Sequence, residues 1–326
     1  MLRSRIIGTG SYLPDRILTN VDLEKQMDTT DEWIRARTGI RERRIAAEGE
    51  TTSDMATHAA RCVVEKAGIR PSSIDLIILA TATPDMAFPS SACIVQHRLG
   101  ISGVAAFDIS AACSGFIYGL GIADQFIRTG TVRTVLVIGA ERFSKILDWQ
   151  DRTTCVLFGD GAGAVLLRGE EGESGILSTH LHADGTYADM LMVARKGSRN
   201  PITDELIQTE AEYLIMRGSE LFKVAVKTLE EAVVEAVEAN GLACEDVDLL
   251  VPHQANIRII TATAKRLGLP MEKVVVNLDR YGNTSAASIP IALDEALAEG
   301  RVRQGDHVLF EAFGGGLTWA SAMVRW

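Results

Sequence analysis

Cysteine is scarce in this 326-residue chain. The five present, at positions 62, 93, 113, 155 and 244, form no CxxC pair and no zinc-like spacing. That argues against a disulfide framework or a zinc module and fits a reducing compartment. No apolar run reaches the roughly 20 residues that a membrane-spanning helix needs. Basic residues are also short: 33 Lys and Arg against 43 Asp and Glu leave a net charge of −10. This balance disfavours nucleic acid as the main partner, while leaving room for a local basic patch. No segment is low-complexity. The first residues, Met1–Gly8, run into a strand pattern with no signal-peptide core, so a cytoplasmic location is expected.

What is present is the composition of a soluble enzyme, 47% apolar and 23% charged, with length for two halves that each bury a core. The pattern repeats. A helical stretch at Thr52–Gly68 precedes the apolar strand Ile74–Ala80; another at Leu221–Gly241 precedes the strand Val247–Val251, and 173 residues separate Asp75 from Asp248. Then come strand Ala105–Ile109, a turn, helix Ser114–Thr129, Gly130 and strand Val135–Gly139. Their later counterparts are strand Val274–Leu278, a turn, helix Ala286–Glu299, Gly300 and strand His307–Phe310, and Gly130 and Gly300 lie 170 apart. Near-constant offsets indicate an internal duplication. Continuous apolar strands suit sheets covered on both faces. The expectation is two similar α/β halves, residues 1–172 and 173–326, stacked as helix, sheet, helix, sheet, helix. The acidic stretch Glu170–Gly175 forms the seam.

Three side chains stand at the ends of strand-like runs, where layered α/β folds gather their chemistry. Cys113 follows Phe107–Ala112 at a strand-to-helix turn. A helix N-terminus there favours a thiolate by about 0.3–1 kcal/mol, up to about 2 when partly buried, against a free thiol pKa of about 8.5. The expectation is a thiol moved toward neutrality. The competing reading is a small buried core cysteine. His253 ends the strand Leu249–Pro252, and Asn283 follows a turn at Gly282. A core histidine and a helix cap are their plain alternatives. Cys113 and Asn283 are 170 apart, so matching turns are expected to carry them toward one pocket.

Other signals are weak. Gly8-Thr9-Gly10 lacks the third glycine of a dinucleotide fingerprint, and Phe158–Gly163 lacks the Gly-Lys-Ser/Thr of a phosphate loop. His180 and His182 stand near Asp184, but no further ligand set supports a metal. Arg195–Pro201 reads as a polar loop that could border a site. Cys155 carries no required role.

Together these residues resemble the β-ketoacyl-acyl-carrier-protein synthase III family of the thiolase superfamily, over essentially the whole chain. The likeness runs through Gly8–Pro14, Asp31–Ile34, Arg37–Arg43 and Phe158–Gly163. It is most specific in Val251–Asn256, Gly282–Ser288 and Glu311–Gly316. The resemblance implies a thiolase-like five-layer α-β-α-β-α sandwich, usually a homodimer. It implies a decarboxylating Claisen condensation that joins a starter acyl-CoA to malonyl-acyl carrier protein and so initiates fatty acid synthesis. The catalytic triad falls on Cys113, His253 and Asn283. The Cys113 and Gly315 backbone N–H groups match the oxyanion hole. Thr29, Trp33, Arg37, Arg152 and Asn256 match coenzyme A contacts, with Trp33 and Arg152 sandwiching the adenine. Phe88 and Phe313 match the acyl pocket, Phe88 closing it across the dimer. Lys223, Gln254, Arg258, Lys265 and Arg266 match the docking face for the acidic carrier protein. No cofactor, metal, nucleic acid or membrane is implied.

The alternatives are a polyketide or quinolone starter synthase of the same fold, a Cys–His–Asn hydrolase releasing free acid, and a carrier-protein-binding scaffold without chemistry. A true thiolase is disfavoured because Ala312–Leu317 carries no second cysteine. The starter acyl group is not legible from pattern.

Overall fold

A computed structural model describes residues 1–193 and 213–326; the polar loop Arg195–Pro201 lies outside them. In chain order the strands are β1 (Leu2–Tyr12), β2 (Arg16–Thr19), β3 (Glu42–Ile45), β4 (Leu76–Ala80), β5 (Ala105–Ile109), β6 (Thr134–Glu141) and β7 (Gly161–Glu171). They continue with β8 (Gly175–Ala183), β9 (Leu191–Val193), β10 (Leu214–Met216), β11 (Leu249–Pro252), β12 (His307–Gly314) and β13 (Thr318–Arg325). One sheet has the order β1-β7-β6-β4-β5 and another β11-β12-β13-β8.

Read from the antiparallel edge, the two sheets are the same sheet twice. β1 and β7, then β7 and β6, pair antiparallel, and β6 and β4 pair parallel. β8 and β13, then β13 and β12, pair antiparallel, and β12 and β11 pair parallel. The fifth strand of the second sheet is reduced to a single bridge between Leu250 and Val274. The expected strand over 274–278 is therefore not formed, and Leu278–Tyr281 makes a helical turn instead.

β4 and β6 are buried at every position, as expected for strands covered on both faces. Helices Gly115–Arg128 and Ser288–Ala298 lie between the sheets; Phe116 and Leu120 from the first and Ile289 and Leu293 from the second share one core cluster with both sheets. Helix Thr52–Lys66 covers the outer face of the first sheet with Met55, Ala59 and Val63. Thr51 caps it, and Asp54 completes a capping box, a device worth about 1 kcal/mol. Helices Gly218–Ala239 and Ile257–Leu267 cover the second sheet with Val233, Val237, Ile260 and Ala264. The layers are α-β-α-β-α.

The duplication corrects one pairing read from the sequence. Cys113 lies in the 3-10 turn Ala112–Ser114, and the equivalent turn is Ser285–Ala287. Ala112 and Ser285 open these turns with φ of 45° and 50°, and the helices that follow begin at Gly115 and Ser288. The structural counterpart of Cys113 is thus Ala286, not Asn283. The first helix has 14 residues and the second 11. Aligning the glycines after them, Gly130 and Gly300, misplaces their starts by that one turn. The Ser285–Ala287 turn presses on Gly139 of β6, where an added Cβ would run into the Ala286 carbonyl oxygen; only glycine permits that approach.

Candidate active site

Cys113, His253 and Asn283 line one cavity of about 120 Å³, together with Phe158, Phe222, Asn256 and Phe313. All three are buried, at 4%, 5% and 7% exposure. They arrive on separate elements: the turn after β5, the end of β11, and the loop before the Ser285–Ala287 turn. Cys113 also lines a second cavity, of about 860 Å³, with Gly315, Phe143, Ile146 and Leu191. It therefore stands where a small chamber, closed by His253 and Asn283, and a larger one adjoin.

The sequence led to the expectation of a thiol eased toward neutrality by a helix terminus. Burial decides otherwise and pushes the Cys113 thiol up to about 12; the neighbouring Ser285 hydroxyl opposes this, the Glu141 charge adds to it, and the residue's own N–H eases it. Desolvation outweighs the modest dipole term. Resting Cys113 is a protonated thiol. Burial also lowers the His253 pKa to about 3, so its ring is neutral near pH 7.

His253 is oriented by hydrogen bonds at both ends of the residue. Its backbone N–H donates to the Glu311 carbonyl at 2.8 Å, and its Nδ1 lies 2.7 Å from Ser288 Oγ. The Gln254 N–H donates to the same Oγ at 3.4 Å. With the Ser288 hydroxyl donating to Nδ1, the ring proton sits on Nε2, the end that can donate to a ligand. Asn283 is fixed in the same manner. Its N–H donates to the Leu157 carbonyl at 2.8 Å, and its carbonyl accepts the Gly159 N–H at 3.0 Å. Its Oδ1 accepts the Ser285 N–H at 2.8 Å. The carboxamide oxygen is occupied, so the NH2 end is the one left to donate. A neutral imidazole and a carboxamide can thus both stabilise an oxyanion without titrating.

The glycine turn after β12 presses on the nucleophile. A Cβ at Gly314 would stand 2.6 Å from the Cys113 backbone nitrogen, and Gly315 shares the larger cavity wall with Cys113. Phe313 is buried and lines the smaller cavity.

The expected coenzyme A contacts gather at one mouth. Arg37 and Arg152 both lie over the Trp33 ring, at 4.4 Å and 5.3 Å from its centroid, and Arg152 bonds the Asp28 carbonyl and carboxylate. Asn256 donates to the Arg37 carbonyl at 3.0 Å and caps the helix that starts at Ile257. Thr29 Oγ1 is buried with no hydrogen-bond partner among the described residues. Lys223, Arg258, Lys265 and Arg266 are exposed, and Arg258 sits 5.0 Å from the ring centroid of the cavity residue Phe222.

One expectation needs adjustment. Gln254, expected on the carrier-protein docking face, is 1% exposed. Its Nε2 donates to the Pro252 and Val275 carbonyls, and its Oε1 accepts from Asn277 and Leu278. All its polar capacity is spent stitching the His253 loop to the Asn283 loop, so it has none for a partner protein. Phe88, expected to act across a dimer, is 84% exposed in the single chain, while Met86, Ala87 and Ser90 beside it line the larger cavity. Sequence reasoning missed Ser285, Ser288 and Glu141. The one available signal was Glu141, an acid closing an otherwise apolar buried run. Among the described residues no group of three His, Cys, Asp or Glu side chains could hold a metal, and no helix is long and apolar enough to cross a membrane.

Two sheets of matching order around a shared helical layer, with a cysteine turn seated on a glycine turn, define the thiolase-like class of acyl-transferring enzymes. The pattern of 3-oxoacyl-[acyl-carrier-protein] synthase III matches residues 107–185, and its C-terminal counterpart matches residues 237–326. The beta-ketoacyl-[acyl-carrier-protein] synthase III of Alkalilimnicola ehrlichii is 60% identical over 328 residues, covering 100% of both chains. Among solved structures, 3-oxoacyl-[acyl-carrier-protein] synthase III from Aquifex aeolicus superposes with a TM-score of 0.92 at 54% identity, covering 99% of this chain and 100% of that one. The priming β-ketosynthase of the R1128 polyketide pathway superposes at 0.91 with 38% identity, covering 99% and 96%. The chain belongs to the β-ketoacyl-[acyl-carrier-protein] synthase III family of acyltransferases.

Proposed function

We propose that this chain condenses a starter acyl-CoA with malonyl-acyl carrier protein and releases coenzyme A, carbon dioxide and a β-ketoacyl-carrier protein, the step that initiates fatty acid synthesis. The observation that carries the reading is the single cavity shared by Cys113, His253 and Asn283, in a chain that matches this family over its full length. Because resting Cys113 is protonated, attack and deprotonation go together. The sulfur bonds to the acyl carbon, the carbonyl oxygen takes charge opposite the Cys113 and Gly315 N–H groups, and the C–S bond to coenzyme A breaks. The thiol proton ends on the departing sulfur. Splitting the reaction through a covalent intermediate replaces one hard step by two easier ones.

In the second half, the malonyl carboxylate leaves as carbon dioxide and its bonding pair forms a thioester enolate. His253 Nε2–H and the Asn283 NH2 donate to the enolate oxygen. The enolate carbon attacks the acyl-Cys113 carbonyl and expels the Cys113 sulfur as a thiolate, which takes a proton from solvent to restore the resting thiol. Trp33, Arg37, Arg152, Thr29 and Asn256 receive coenzyme A. Lys223, Arg258, Lys265 and Arg266 form a basic face for the acidic carrier protein. We take the active species to be a cytoplasmic homodimer in which the exposed Phe88 reaches the partner's acyl chamber, and the two halves to divide at residues 172 and 173.

The second reading, a polyketide priming ketosynthase, is favoured by the structural likeness at 38% identity. Intact-mass spectrometry with a panel of acyl-CoAs tests both. Rapid acylation by acetyl-CoA or branched short primers, followed by discharge on malonyl-carrier protein, supports initiation of fatty acid synthesis. Acylation confined to longer or unusual primers favours the second reading. An unmodified Cys113 with every primer refutes acyl transfer.

A further inference from the structure

The two halves secure their outermost parallel segment by different means. Asp75 and Asp248 are equivalent: each N–H donates to the carbonyl at the start of the neighbouring strand, Thr134 of β6 at 2.9 Å and His307 of β12 at 3.0 Å. Six residues beyond them stand Thr81 and Gln254. In the first half β4 and β5 pair from Leu76–Ala105 to Ala80–Ile109, and the Thr81 N–H extends the ladder to the Ile109 carbonyl at 3.1 Å. In the second half the pairing stops after the Leu250–Val274 bridge and the Val275 N–H bond to the Leu250 carbonyl at 2.9 Å. Pro252 then has no N–H to offer.

Gln254 closes that gap with its side chain. Its Nε2 donates to the Pro252 carbonyl at 2.8 Å and the Val275 carbonyl at 3.0 Å, and its Oε1 accepts the Asn277 N–H at 2.9 Å and the Leu278 N–H at 3.2 Å. A primary amide offers the donor and acceptor of a peptide group with one further hydrogen, so it can stand in for main chain. The Gln254 N–H, equivalent to the ladder donor of Thr81, is turned instead to Ser288 Oγ, the hydroxyl that holds the His253 ring. We propose that Gln254 is a positioning residue for malonyl decarboxylation: its side-chain amide ties the His253 loop to the turn that leads into Asn283 and frees its own N–H for Ser288, and so brings the His253 and Asn283 donors to one enolate oxygen.

Both ends of that tie reach the chemistry. One end is the next residue after His253. The other holds the start of the turn Leu278–Tyr281, which Gly282 joins to Asn283. Each donor must stand about 2.7–3.1 Å from the oxygen it stabilises, so a slip between the two segments draws one of them off. Acyl transfer relies instead on the Cys113 and Gly315 N–H groups, and none of the hydrogen bonds just described reaches either of their turns. At 1% exposure, Gln254 acts from inside the chain and not by touching the carrier protein.

The proposal rests on His253 and Asn283 as the enolate donors. The test follows two half-reactions by intact mass: acetylation of Cys113 by acetyl-CoA, and conversion of malonyl-carrier protein to acetyl-carrier protein. Gln254→Met keeps the volume and removes all four side-chain bonds; Gln254→Glu keeps the accepting oxygens and loses the two donations. The decarboxylation kcat should fall about 100-fold in Gln254→Met, the order set by a misplacement of about 1 Å, and at least about 10-fold in Gln254→Glu. The KM for malonyl-carrier protein and the acetylation rate should stay within about 2-fold of the wild type. Added to Asn283→Ala, Gln254→Met should cost no more than about 3-fold further, because the spacing it sets has lost one end. Unchanged decarboxylation, equal losses in the two half-reactions, a loss confined to KM, or a full further loss in the double variant overturns the proposal. Should Gln254→Met fail to fold, Gln254→Glu, alone and with Asn283→Ala, decides by the same criteria. Decarboxylation at the wild-type rate in Asn283→Ala would strike the underlying reading instead, whatever Gln254 does.

Discussion

His253 Nδ1 lies 2.7 Å from Ser288 Oγ, a hydroxyl 35 residues further along the chain. With the serine hydroxyl donating to Nδ1, the ring proton is held on Nε2. A buried histidine offers one donor when neutral, so its value to an enolate depends on that choice.

Removing the hydroxyl should therefore affect one half-reaction. In Ser288→Ala, decarboxylation of malonyl-carrier protein should fall by about 10-fold, while Cys113 acylation stays near the wild-type rate. Parallel losses in the two half-reactions would show that Ser288 only supports the fold.

Gly314 offers a steric test of the glycine turn. An added methyl would meet the Cys113 nitrogen at 2.6 Å, and the obstacle is backbone rather than a flexible side chain. A displacement approaching 1 Å of a reacting group costs about 100-fold. Gly314→Ala should lower the acylation rate by that order, measured by rapid-quench intact mass, with thermal unfolding recorded beside it. Acylation at the wild-type rate would mean that the turn and the nucleophile are not coupled.

Charge on the docking face should act on one substrate only. Arg258 is exposed and stacked on Phe222 beside the cavity. Arg258→Glu should raise the KM for malonyl-carrier protein about 10-fold, most strongly at low salt, and leave the rate of acyl-CoA loading unchanged. Equal kinetics for the carrier protein would remove this residue from the dock.

Glu311 makes stability depend on pH. Its carboxyl is buried and one oxygen lacks a partner; burial raises its pKa to about 8, against about 4.3 in an unfolded chain. A raised folded pKa means that folding favours the protonated form. That contribution is complete below about pH 4.3 and is lost as pH rises through 8. Glu311→Gln should match the wild type in thermal unfolding at pH 4 and exceed it at pH 9 by roughly 1–3 kcal/mol, the cost of an unsatisfied buried group. Curves that stay parallel across that range would show that the carboxyl does not titrate with unfolding.

Much of the architecture could be read along the chain because its cues are local. β4 and β6 are continuous apolar runs, and the glycines at 130 and 300 end equivalent helices. Cys113, His253 and Asn283 stood out because each follows such a run beside small or turn-forming residues. Gln254 shows the limit: the resemblance places it on the docking face, but its four hydrogen-bond partners, invisible in the sequence, hold it inside. Arg43 is similar. Its guanidinium is fully buried and donates to Leu18, Asn20 and Val156, although its sequence surroundings are charged.

The sequence by itself determined the order of the elements, the repeat, and which side chains were capable of the chemistry, since propensity, periodicity and residue type belong to short stretches. Only the tertiary structure decided how those groups behave. Burial by distant layers makes Cys113 a resting thiol and His253 a neutral donor. Ser288 sets the ring, and Glu141 reaches Ser285 across 144 positions of chain. Desolvation and hydrogen-bond direction depend on what is packed nearby in space, and no local pattern encodes that.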